Sequence, residues 1–261
     1  MTARTLMKTR EECDNLNIRI FNSADELGEA AAIEAANIMN EKIKEKGKVR
    51  IVLSTGASQF QFFESFVRQS IDWSKVEMFH LDEYIGLPIS HAASFRKYLQ
   101  ERFVERVGSA LGKVHYVSGE LEPEAHIRQL SEEITKESID LALIGIGENA
   151  HIAFNDPPAD FETTDPYLIV NLDDNCKRQQ VGEGWFASLD DVPNQAISMS
   201  VRQILKAKHI ISCVPHRVKA GAIRLALEPA VTPDIPASIL KKHESWSLFL
   251  DKESSSEIER S

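Results

Sequence analysis

Short β-branched runs separated by amphipathic stretches recur along this chain, and that alternation limits its fold more than any other feature. Ile18 to Phe21 is followed by Ser23 with Glu26 three residues on, a capping-box spacing that opens a helix carrying Leu27, Ala31, Ala35, Ile38 and Met39 and ending at Gly47. Val49 to Leu53 reads as a buried strand, and the polar turn Ser54 to Ser58 then leads into a helical pattern at Phe60, Phe63 and Val67. Val76 to Leu81, Ile139 to Ile146, His209 to Val214 and Ser247 to Leu250 read as further strands; Ser94 to Val104, Glu124 to Lys136 and Arg217 to Leu227 read as helices. Parallel neighbours need crossover connections, so the pattern predicts an α/β fold: a mostly parallel open sheet with helices on both faces, Rossmann-like. A length of 261 residues suits a single domain of this class. It is expected over 18–251, with 1–17 and 252–261 as polar, flexible tails.

Charge and cysteine content narrow the function classes. With 30 basic against 40 acidic side chains the net charge is -10, which disfavours a nucleic-acid surface. Cys13, Cys176 and Cys213 are too scattered for a disulfide framework. No apolar run has the length of a signal peptide core or a membrane span, so a cytoplasmic address without membrane partners is expected.

Ligands of parallel α/β sheets sit beyond the carboxyl ends of the strands, which directs attention to three segments. In LSTGAS, a strand enters a turn where the amides of Thr55, Gly56, Ala57 and Ser58 suit either a phosphate at a helix start or a plain tight turn. The loop is neither a Walker A sequence nor GxGxxG. In FHLDEYIGL, Asp82 and Glu83 follow a buried strand and point in opposite directions if the strand persists, so one of them need face a site; Asp82 is otherwise a helix cap. In LIGIGENAHIAFNDPP, Gly145 and Gly147 permit close approach of a ligand, and His151 and Asp156 share one short loop. That pair suits proton transfer at a sugar or carbonyl oxygen, or a structural histidine. His80, Asp82, His151 and Asp156 lack the spacing of a known metal motif, so neither metal nor cofactor is expected. No G-x-S-x-G elbow is present.

Taken together, STGAS, HLDEYIGL, GIGENAHIAFNDP, VPNQAISMSVRQILKAKHII and VPHRVKAGAI resemble the glucosamine-6-phosphate deaminase family, whose superfamily includes the 6-phosphogluconolactonases. The resemblance runs from Ile18 to about Asp251, and IAFNDP departs from the DGHTASLFP-like loop of a lactonase. It implies an aldose-ketose isomerase/deaminase of amino sugar catabolism, of hydrolase class, acting on a small phosphorylated sugar. His151 would open the pyranose ring and Asp82 would move a proton between C2 and C1. The 55–58 loop and Lys219 would hold the phosphate, with Glu83, Gly145 and Gly147 also lining the substrate site.

Two departures from the family pattern stand out. Asn149 occupies the position of the family aspartate in D-G-H, so Asp156 would have to supply the charge while Asn149 orients the ring. The family's phosphate arginine has no clear match, Arg178 and Arg217 being the candidates. No counterpart of the family's allosteric cluster is apparent, and a homo-oligomer stays open. The rival readings are a lactone hydrolase and a sugar-phosphate-binding protein that has lost the chemistry.

Overall fold

The computed structural model describes residues 16–258; Cys13 and the rest of the predicted N-terminal arm through residue 15 lie outside the described residues. In chain order the strands are β1 (Leu16–Phe21), β2 (Val49–Leu53), β3 (Val76–His80), β4 (Asp82–Tyr84), β5 (Lys113–His115), β6 (Leu141–Leu143), β7 (Tyr167–Asn171), β8 (Gln195–Met199), β9 (His209–Val214) and β10 (Trp246–Asp251). The α-helices are α1 (Ala24–Lys46), α2 (Phe60–Phe66), α3 (Phe95–Leu99), α4 (Glu105–Val107), α5 (Pro123–Thr135), α6 (Asp174–Gly182), α7 (Val201–Ile204) and α8 (Ala220–Leu227).

Seven strands form one wholly parallel sheet in the order β1-β10-β9-β6-β2-β3-β5. The chain runs outward from β2 through β3 to β5, then returns to lay β6 on the other side of β2. The connections leaving β2 and β6 therefore diverge, and a crevice opens between them at the carboxyl edge. Every residue of β2 is buried, as expected for a central strand covered on both faces. One apolar cluster contains Val52, Ile144, Ile210 and Leu248; a second, with Leu53, Phe63, Phe103 and Phe249, packs under α1 and α2.

Local chemistry accounts for the element boundaries. Ser23 Oγ accepts from the Glu26 amide, and Gly47 closes α1 at φ 78°, a left-handed position that glycine takes without cost. Gly28, on the buried face of α1 one turn in from its N-terminus, is needed for packing: a Cβ there would lie 2.6–2.8 Å from Gln61 and Phe62 on α2.

Several elements differ from the sequence expectation. The predicted strand Ile139–Ile146 shrinks to Leu141–Leu143 because the glycine-containing stretch turns away to line the crevice. The Ser94–Val104 helix begins on a Ser94 cap but passes through a π-helical turn over Gln100–Val104. A small antiparallel sheet, β4-β8-β7, was not expected at all, nor was edge strand β5. The expected loose tail is ordered through 258: Asp251 Oδ1 accepts from the Ser254 amide at 2.7 Å, and Ser254 is fully buried. Residues 259–261 lie outside the description. No described helix is long and apolar enough to cross a membrane.

Candidate active site

Backbone shape brings three loops to the crevice. Gly56 at φ 106°, ψ 164° turns the chain after β2 into a short 3-10 helix, Ala57–Gln59, that runs into α2. Tyr98 Oη donates to the Gly56 carbonyl at 2.9 Å, and Gln59 Nε2 donates to Cys213 O at 3.0 Å, tying this loop to the end of β9. After β6, residues 144–151 curl back, with Gly147 N donating to His151 O and Ala150 N to Gly147 O. Beyond β9, a second 3-10 helix, Arg217–Lys219, leads into α8. Thr55, Gly56, Ala57, Ser58, Asp82, Gly145, Gly147, His151 and Lys219 all line the one cleft, so most of the candidate residues converge.

The two candidate proton-transfer groups have different surroundings. Asp82 opens β4, 5% exposed, and no described residue hydrogen-bonds its carboxyl. Burial, reinforced by the Glu83 charge, holds that carboxyl well above the usual carboxylate range. Across the crevice, His151 Nδ1 lies 2.6 Å from Asn149 Oδ1 and 3.2 Å from Asp156 Oδ1. One N–H cannot serve both acceptors equally, so the shorter contact is the hydrogen bond and the Asp156 charge stands close behind it. Asn149 Nδ2 in turn donates to Asp156 Oδ1 at 3.2 Å. With Nδ1–H committed to these acceptors, Nε2 is left with its lone pair. Burial pushes the Asp156 carboxyl up, but the hydrogen bond and charge of His151 and the Asn149 amide outweigh this and hold it below its ordinary value. Gly147 makes room for the ring: a Cβ there would lie 2.2–2.5 Å from imidazole atoms. Asn155 secures the loop by donating to Ile152 O and Met199 O.

Lys219 is 6% exposed with no carboxylate in ion-pair contact among the described residues. Burial lowers its pKa, with Glu183 and Glu148 opposing. Ser54 Oγ, buried at the cleft wall, also lacks a partner. An unpaired buried cation and hydroxyl are costly unless a ligand completes them.

Other expected residues fall elsewhere. Glu83 is not a cleft residue: it is fully buried on the opposite side of β4, accepting from Ser94 Oγ at 2.8 Å and the Arg96 amide at 2.9 Å and pairing with the Arg96 guanidinium at 3.3 Å. The alternation of side chains along β4 separates it from Asp82 and turns it toward Ser94 and Arg96, whose segment it anchors. Neither arginine candidate reaches the cleft. Arg178 reaches toward Asp174 at 3.6 Å, and Arg217 toward Glu257 at 3.7 Å, both well exposed. His80 is fully buried and held neutral, its pKa pushed down to about 3 by burial and by the Arg96 charge, and it lies outside the cleft. Glu77, His115 and Glu133 come within 4.8 Å of one another elsewhere, but Arg50 and Lys113 already neutralise the two carboxylates.

Sequence reasoning missed α6 and its sequel. Gln179, Gln180, Glu183 and Trp185 form one wall of the cleft, braced by Tyr84 Oη donating to Gln180 Oε1 at 2.7 Å and Glu148 N donating to Gln179 Oε1 at 3.2 Å. This helix follows β7, which lies outside the main sheet, so a search of main-sheet strand ends does not find it. His216 also lines the cleft, and its place directly after β9 was the signal available for it.

Residues 22–248 match the family model described as glucosamine-6-phosphate isomerases/6-phosphogluconolactonase. A glucosamine-6-phosphate deaminase of Thermoanaerobacter sp. (strain X514) is 35% identical over 231 residues, 86% of this chain and 90% of that protein. The glucosamine-6-phosphate deaminase of Oenococcus oeni (strain ATCC BAA-331 / PSU-1) is 33% identical over 239 residues, 91% of this chain and 96% of its own. Among solved structures, a monomeric glucosamine-6-phosphate deaminase superposes with a TM-score of 0.84 at 28% identity, covering 92% of this chain and 99% of that one. A 6-phosphogluconolactonase from Thermotoga maritima shares the fold, with a TM-score of 0.76 at 18% identity over 91% of this chain and all of its own.

Proposed function

The chain belongs to the family of glucosamine-6-phosphate isomerases and 6-phosphogluconolactonases, and on that premise we propose that it isomerises and deaminates a 6-phosphorylated amino sugar, converting glucosamine 6-phosphate and water to fructose 6-phosphate and ammonia. One observation carries this choice over lactone hydrolysis: a buried carboxyl, Asp82, faces the same cleft as His151 with no described hydrogen-bond partner. A carbon base needs such a group, whereas activation of water by His151 has no use for it.

The substrate's phosphate rests on the amides of residues 55–58 and on Lys219, which regains a counter-charge there. His151, with Nε2 free, shuttles the proton that moves from the C1 hydroxyl to the ring oxygen as the pyranose opens. Asn149 keeps the imidazole oriented, and Asp156 stabilises its cationic form by charge. Asp82, ionised, takes the proton from C2 while the C1 oxygen picks up a proton, giving an enolamine; it then returns the C2 proton to C1 as the C2 amino group gives up one proton, leaving an imine at C2. Water adds to that carbon and ammonia departs, so one water is consumed and one ammonia released. This balance is hydrolytic, although the middle step is an isomerisation.

Ammonia release from glucosamine, galactosamine and mannosamine 6-phosphates, with 6-phosphogluconolactone hydrolysis run alongside, tests the proposal. Release from glucosamine 6-phosphate that vanishes in Asp82→Asn supports it. Lactone hydrolysis that survives Asp82→Asn, with no ammonia from any amino sugar, overturns it. Binding of glucosamine 6-phosphate without turnover would mark a protein that keeps the pocket and has lost the chemistry.

A further inference from the structure

The turns after β2 and β9 have nearly the same backbone shape but are built from different residues. Each strand ends, passes through one residue of unusual conformation, enters a three-residue 3-10 helix and continues as an α-helix at the cleft. At β2 that residue is Gly56, φ 106° and ψ 164°. At β9 it is His216, φ 78° and ψ 145°. This region is close to glycine-only, because a Cβ there crowds the flanking carbonyls. It also lies away from the left-handed helical well that other residues visit at modest cost. The surroundings enforce the shape: His216 N donates to Asp251 Oδ2 at 3.0 Å, and Asp251 is itself locked by the Ser254 amide at 2.7 Å.

A glycine would make this turn without strain, as Gly56 does, yet an imidazole is placed here. The ring is half-buried and lines the cleft, and no described residue hydrogen-bonds either of its nitrogens. It stands three residues before Lys219 and three beyond Cys213, whose carbonyl is bonded to the 54–59 loop. Among the described residues no guanidinium lines the cleft, whereas three carboxyl groups do, Asp82, Glu148 and Glu183, and their charges would repel an anion.

Resting on the reading of the cleft as a sugar-phosphate site, we infer that His216 is a binding residue for the phosphate group, donating a ring N–H to it beside Lys219 and taking over part of the role of the absent arginine. The backbone strain is retained because the imidazole contributes to ligand affinity.

The test replaces His216 by the residue its backbone favours. His216→Gly is expected to raise Tm by a few degrees while raising KM for glucosamine 6-phosphate and Kd for inorganic phosphate about tenfold or more, kcat falling less than KM rises. His216→Asn, which keeps a side-chain N–H donor at a backbone cost like that of the histidine, should recover part of the lost affinity. In the wild-type protein, inorganic phosphate should shift the His216 imidazole NMR signals. Unchanged KM and phosphate Kd in His216→Gly, or imidazole signals indifferent to phosphate, overturn the inference. Should the wild-type protein release no ammonia, the proposed reaction fails, while the phosphate titration still decides the role of His216.

Discussion

The amide oxygen of Asn149 lies 2.6 Å from Nδ1 of His151, closer than the carboxylate of Asp156 at 3.2 Å, so a neutral group holds the ring while the charge sits one step behind. The amide is itself oriented by its second hydrogen bond, Nδ2 to Asp156 Oδ1, which fixes which end of Asn149 faces the imidazole.

If this relay serves ring opening, Asp156→Ala lowers kcat/KM for ammonia release about 10- to 100-fold. Asn149→Asp alone is also impaired, because it sets two carboxylates about 3 Å apart and loses the bridging donor. The double variant Asn149→Asp with Asp156→Ala has one carboxylate beside Nδ1 again and recovers much of the rate. Additive losses in a double-mutant cycle would show that the two residues do not act through the same imidazole.

With Asp82 as the proposed carbon base, its ionisation sets the acid limb of the pH profile. Its pKa is raised by burial and by the Glu83 charge, and it must be ionised to accept a proton from carbon. Activity therefore falls as pH drops through a value well above the ordinary carboxylate range. The same shift means that the folded state prefers the protonated carboxyl. Its stabilising contribution is full below the unfolded-state pKa and is lost as pH rises through the raised folded value. Asp82→Asn should abolish ammonia release yet raise Tm at pH 7, with the gain shrinking toward pH 4. Thermal melts at the two pH values check the sign.

Gly147 is a space requirement of the histidine loop. Gly147→Ala would place a methyl 2.2–2.5 Å from imidazole atoms, and Gly147 N also donates to His151 O, so neither group can yield without turning the ring. An activity loss of about 100-fold or more is expected, with the change in the His151 imidazole signals visible by NMR.

Far from the cleft, Arg50 tests the scaffold. Its buried guanidinium pairs with Glu77 at 2.9 Å, donates to the carbonyls of Glu133, Ile134 and Glu137 at the end of α5, and covers the Phe79 ring at 4.7 Å. Arg50→Ala strands these acceptors and should cost about 3–5 kcal/mol. That corresponds to a Tm lower by on the order of 10 °C, read by calorimetry.

What the amino-acid sequence determined alone is local. Apolar periodicity marked the strands and helices, because a buried strand and a one-sided helix each impose their own spacing. The small residues at Thr55 to Ser58, the acid at Asp82 and the histidine at His151 were legible because each follows a strand end, where α/β sheets present their ligand sites. Only the tertiary structure decided how these loops meet. Gln59 and Cys213, 154 positions apart, are joined by a hydrogen bond because β6 returns beside β2 and β9 lies next to it, an order that local spacing does not encode. Pairing of β4 with β8 in a second sheet sent Asp82 toward the cleft and Glu83 into the core against Arg96. The wall of the cleft at Gln179, Gln180 and Glu183, and the strained turn at His216, likewise exist only through contacts between distant segments: Tyr84 with Gln180, and Asp251 with the His216 amide. Side-chain type and spacing report what a short segment prefers, whereas the partners that make a charge, an amide or a strained turn useful are supplied by whichever segments the sheet order brings alongside.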